Sequence, residues 1–112
     1  MRTTADLDVW VSRRRQNAER LVECLGEFGF DLPELTAEVF EHPERVVRMG
    51  VAPVRIEILT DIDGVDFDEC SARAEMHTIG GDSVRVISLA DLKRNKKASG
   101  RPKDLDDLAH LP

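Results

Sequence analysis

Residues 6 to 11, D-L-D-V-W-V, open on a polar–apolar alternation of period two, Asp6 and Asp8 against Leu7 and Val9, and predict a strand. From Ser12 the period lengthens. Ala18, Leu21, Val22, Leu25 and Phe28 recur every three or four residues and predict an amphipathic helix that Gly29 stops. Residues 31 to 44 carry two prolines and mixed polarity, and predict a loop leading into a short strand. Residues 46 to 50 (VVRMG) and 54 to 60 (VRIEILT) flank the turn candidate Val-Ala-Pro and predict a hairpin. Gly64 breaks the second of these strands, and a short helix is expected from about Phe67. Gly80-Gly81-Asp82 separates two β-prone runs, a second hairpin. Ser88-Leu-Ala-Asp91 resembles a capping box with Asp in place of Glu, and starts a helix that runs to about Ser99. Gly100 and Pro102 close it, and K-D-L-D-D-L-A-H-L adds a last helical turn or two.

Strands interleaved with helices predict an α/β fold: one domain over residues 1 to 112, with a small mixed sheet and helices packed on one face. Hydrophobic residues at 41% and charged residues at 34% fit a soluble globular chain and exclude a disordered one. No apolar run nears the ~20 residues of a membrane helix, so no membrane partner is expected. The start, MRTTADLD, lacks an apolar signal core, which makes the expected location cytoplasmic. Cys24 and Cys70 are isolated thiols, expected to be reduced and buried and without a chemical role. A net charge of -6 argues against a general nucleic-acid coat, although basic residues gather at 93 to 103.

The chemistry begins with Asp6 and Asp8, which alternation sets on one face of their strand. Two like charges side by side raise each other's energy unless a cation lies between them. Glu57 repeats the oddity in V-R-I-E-I-L, where Val54, Ile56 and Ile58 take one face and Arg55 and Glu57 the other. On neighbouring strands the three carboxylates would form a hard-oxygen site suited to Mg²⁺ or Mn²⁺. Phosphoryl and nucleotidyl transfer use such sites, with two ions ~3.5–4 Å apart holding the attacking and leaving oxygens. Glu57 is also a candidate acceptor for the proton of an attacking hydroxyl.

R-T-T-x-D-L-D-V-W-V, then V-R-I-E-I-L-T, then S-L-A-D-L-K-R-N-K-K-A-S-G-R-P-K-D-L-D-D-L together resemble the minimal nucleotidyltransferases of the DNA polymerase β-like superfamily. The likeness is closest to the bacterial branch that includes abortive-infection and toxin–antitoxin nucleotidyltransferases, and it extends from Arg2 to Leu111. It implies a reduced nucleotidyltransferase fold, with Asp6 and Asp8 as the metal-binding pair and Glu57 as the third catalytic carboxylate. It likewise implies that Lys96, Arg101 and Lys103 lie near the phosphates of an NTP substrate, with Asp104 and Asp107 as helix-capping and ion-pairing residues. The acceptor implied is a hydroxyl on protein or RNA, and the setting phage defence. Such proteins carry a helix and a Gly-Ser or Gly-Gly turn ahead of the DxD strand, whereas five residues precede Asp6. Gly80-Gly81 follows the third carboxylate and does not replace that turn. A chain of this kind, whether a fragment, the product of a misplaced start or a natural short form, is expected to hold metal yet transfer nucleotides poorly or not at all. It is also expected to associate, with itself or with a toxin or antitoxin partner, through the first strand and the helix from Ser12 to Phe28.

Plainer roles stand beside these. Asp6 would serve as the end of an edge strand, and Glu57 as the ion-pair partner of Arg55 or of a cross-strand Arg48. Lys93, Arg94, Lys96 and Lys97 would form a solvated helix face near a C-terminal dipole. His42, His77 and His110 lack metal-ligand spacing. Trp10 is assigned to the packed face, and Asp61, Asp63, Asp66 and Asp68 to a solvated loop, since the spacing of a calcium loop is absent. The rival function is a catalytically incomplete binding module on the same fold.

Overall fold

A computed structural model describes residues 5 to 50 and 54 to 112, with the backbone alone described for Ala5, Asp6 and Val54. Among the described residues the chain is a mixed α/β protein of two small sheets and five helices. Its contacts fall into two compact units, Met1–Asp61 and Ile62–Pro112.

The first unit holds β1 (Ala5–Trp10), α1 (Arg15–Glu27), α2 (Ala37–Glu41), β2 (Val46–Met49) and β3 (Val54–Leu59). β3 is central: it runs parallel to β1, with Asp8 opposite Glu57, and antiparallel to β2, with Arg48 opposite Glu57. The β2–β3 pairing is the hairpin expected from the sequence, and its turn, residues 51 to 53, lies outside the described residues. Ile58 and Met49 from the sheet, Val11 beyond β1, Ala18 and Leu25 from α1 and Phe40 from α2 form the core. Exposed salt bridges join the two helices, with Arg15 reaching Glu38 at 3.0 Å and Glu41 at 3.4 Å.

Four expectations are corrected in this unit. Residues 31 to 44 are not only loop. Thr36 stands at the N-cap of α2, whose fully buried Phe40 anchors the segment, and Pro43 follows its end. Phe28 is exposed rather than part of the buried stripe, because α1 ends one residue earlier. Gly29, at φ 97°, turns the chain so that Phe30 N–H donates to Leu25 C=O at 2.9 Å and Gly29 N–H to Gly26 C=O at 3.0 Å. This is a Schellman closure, and Phe30, not Phe28, packs against the core. Cys24 is exposed, one position off the Leu21–Val22–Leu25 stripe. Trp10 stands two residues from Asp8 and so shares the aspartate parity; it is half-buried on the polar side.

The second unit holds α3 (Phe67–Arg73), β4 (Glu75–Ile79), β5 (Asp82–Val86), α4 (Leu89–Ser99) and α5 (Pro102–Ala109). The Asp66 carboxylate caps α3 by accepting from Glu69 N–H at 3.1 Å. β4 and β5 pair through Gly80 and Gly81, at φ 60° and 88°, the backbone a tight primed hairpin turn requires. Gly100 ends α4 at φ 63°, and Pro102 opens α5.

Candidate functional site

The register of the first sheet sets the polar residues out in rows. Asp6 lies opposite Arg55, and the next polar row crosses all three strands as Asp8, Glu57, Arg48. Register partners on neighbouring strands sit about 4.8 Å apart and face the same side. Asp8 and Glu57 are thus brought together on one face; the side chain of Asp6 lies outside the described residues. Two carboxylates at about 5 Å repel by ~1–3 kcal/mol at surface dielectric constants. Glu57 has a counter-ion on its other side, since Arg48 Nε donates to its Oε1 at 2.9 Å. Arg48 is 70% exposed and Glu57 27%.

Among the described residues no group of three His, Cys, Asp or Glu side chains is arranged to hold a metal ion. Asp8 and Glu57 supply two adjacent hard-oxygen donors reachable from solvent, a chemistry that fits Mg²⁺ or Mn²⁺, with Asp6 two positions away on β1.

The basic residues near the C-terminus are engaged in the second unit. Lys96 Nζ donates to Asp104 Oδ1 at 3.2 Å and to Asp107 Oδ2 at 3.1 Å, and Arg101 Nε to Asp104 Oδ2 at 2.6 Å. Ser99 Oγ adds a bond to Asp104 Oδ2 at 2.6 Å. The hydrogen bonds from Ser99 and Arg101 pull the nearly buried Asp104 carboxyl down to about 2, against the upward push of burial. Burial opposes the charge on Lys96, yet its bonds to Asp107 and Asp104 leave its pKa raised. Lys103 is exposed near the start of α5.

Asp91 is the buried group that pattern reading did not find. Ser88 caps α4 as expected, accepting from Asp91 N–H at 3.1 Å. The short Asp91 carboxylate is fully buried and accepts from Arg73 Nε at 3.1 Å, Arg73 Nη2 at 3.0 Å and Arg94 Nη1 at 2.6 Å. These bonds, Arg73's first, hold it well below the usual carboxylate range. The nearby Cys70 thiol is pushed up by burial and then by the Asp91 charge. An open depression of about 500 Å³ between α3 and α4 is lined by Asp66, Glu69, Arg73 and Arg94 together with Gly64 and Val65. Both of its arginines are already engaged by Asp91.

No family model, curated protein or solved structure matches the chain.

Proposed function

We propose that the chain is a metal-dependent nucleotidyltransferase of reduced nucleotidyltransferase fold, moving a nucleoside monophosphate from an NTP to a hydroxyl on protein or RNA. The observation that carries this reading is the parallel β1–β3 register, in which Asp8 lies beside Glu57. Carboxylates side by side raise each other's energy, and a divalent ion between them would offset that more fully than the single exposed bond from Arg48 to Glu57. Asp6, Asp8 and Glu57 are the proposed Mg²⁺ or Mn²⁺ ligands. Bound divalent ions supply charge neutralisation at the triphosphate and the departing pyrophosphate. Glu57, when not engaged with Arg48, accepts the proton of the attacking hydroxyl. The resemblance assigns the NTP phosphates to Lys96, Arg101 and Lys103. The bonds of Lys96 and Arg101 to Asp104 favour a fold role for those two, and Lys103 is the exposed member.

A second reading has its own observation. Leu7 and Val9 are 58% and 37% exposed on β1, which pairs only with β3 among the described residues. Exposed apolar positions on an edge strand favour a binding module of a toxin–antitoxin or phage-defence system.

One assay separates the two. The chain is incubated with Mg²⁺ and NTP labelled at either the α or the γ phosphate, with RNA and the chain itself as acceptors. Slow incorporation from the α label alone, lost in Asp8→Asn, supports the enzyme. Incorporation that survives Asp8→Asn refutes the assigned site, and none from either label refutes the transferase reading and leaves the module.

A further inference from the structure

We propose that Arg48 is a built-in counter-ion of the carboxylate row: it occupies Glu57 when no divalent ion is bound and, once displaced, turns its guanidinium to a nucleotide phosphate. The inference rests on the metal-site reading above. Glu57 sits in the central strand with Asp8 on one side and Arg48 on the other. A cation bridging Asp8 and Glu57 therefore approaches from the side opposite Arg48 and competes with it for the same carboxylate.

The geometry suits a partner that lets go. Arg48 holds Glu57 by one bond, from Nε at 2.9 Å, rather than by the two-pronged fork of a locked arginine pair. It lies on the outer strand β2, and its side chain is 70% exposed. A solvated pair of this kind shifts an equilibrium by only about 2- to 5-fold. Arg55, the other arginine of this face among the described residues, lies opposite Asp6 in register, one row away. A displaced Arg48 keeps its charge and its planar set of donors, which match phosphate oxygens and not a bare metal ion. Arg48 therefore weakens metal binding alone and strengthens binding of metal plus nucleotide, two effects of opposite sign.

That opposition is the test. Mn²⁺ affinity is measured by calorimetry on the wild-type chain and on Arg48→Gln, Arg48→Lys and Asp8→Asn. Affinity for a non-hydrolysable ATP analogue is then measured at saturating Mn²⁺. Arg48→Gln is expected to bind Mn²⁺ about 3- to 10-fold more tightly, through loss of both competitor and repelling charge. It is expected to bind the analogue about 5-fold or more weakly, through loss of one charge-assisted phosphate bond. Arg48→Lys keeps the charge without the fork, so its Mn²⁺ affinity stays near wild type while analogue binding falls. The melting temperature of Arg48→Gln should fall by about 2–8 °C at most, as for an exposed pair. If Asp8→Asn abolishes Mn²⁺ binding but Arg48→Gln changes neither affinity, the inference is overturned and the metal site stands. If Arg48→Gln weakens both together, Arg48 serves the fold and the inference again fails. If the wild-type chain binds no Mn²⁺, the metal-site reading falls and the inference with it.

Discussion

Replacing Lys96 by Met removes an ammonium while keeping most of the apolar stem, and decides between a phosphate role and a fold role for the basic C-terminal segment. The ammonium bridges Asp104, whose side chain is 5% exposed, and Asp107, at 39%. The bond to the exposed Asp107 contributes about 0.5 kcal/mol at most. A charge-assisted bond to a buried carboxylate contributes ~1.5–3 kcal/mol. The lower end applies here, because Ser99 and Arg101 still satisfy Asp104 after the substitution. The net loss is about 2 kcal/mol. For a chain of this size that lowers the melting temperature by about 8–16 °C, read by circular dichroism or calorimetry. Nucleotide binding, measured well below the new melting point, should then change little. A melting temperature within about 2 °C of wild type, together with lost nucleotide binding, would refute the fold role and return Lys96 to the phosphates.

Acid should weaken the second unit. Asp104 and Asp91 both have folded-state pKa values below the ordinary one, so the stability they give is complete above about pH 4 and declines as pH falls toward about 2. Melting temperatures that stay flat between those limits would contradict the two networks. Phe40→Ala empties the fully buried centre of the first unit and should lose about 3–4 kcal/mol in denaturant unfolding; a loss under about 1 kcal/mol would mean that α2 does not anchor that core. Exposed Leu7 and Val9 predict concentration-dependent association in sedimentation runs, weakened by Leu7→Lys; an ideal monomer at all concentrations would remove the support for the module reading.

Elements bounded by capping or turn residues were legible in the sequence. The helix from Ser88 to Gly100 had a capping-box start and a glycine stop, and α4 follows them. The Gly80-Gly81 hairpin was legible for the same reason. Helix α2 was not. At Ala37–Glu41 it is too short to carry a period, and it exists because Phe40 is pulled into the core. Phe28 fits the helical spacing but falls past the Schellman turn, a tertiary decision that brings in Phe30 instead. At the candidate site, alternation alone was enough to set Asp8 and Glu57 on polar strand faces, and the pairing register then brought them side by side. Arg48 was one of two arginines the sequence offered to Glu57, and only the antiparallel β2–β3 register chose between them. Asp91 was legible as a capping-box position but not as a buried charge, because its burial depends on Arg73, which reaches it from α3.

The central claim, a divalent-metal row on the polar face of the first sheet, is tested most directly by adding substoichiometric Mn²⁺ to ¹⁵N-labelled chain and recording which amide signals its unpaired electrons broaden. The account predicts broadening centred on residues 6 to 8 of β1 and 55 to 57 of β3, abolished in Asp8→Asn and reversed by excess Mg²⁺. Broadening centred instead on the acidic loop at residues 61 to 68, or unchanged by Asp8→Asn, would contradict it.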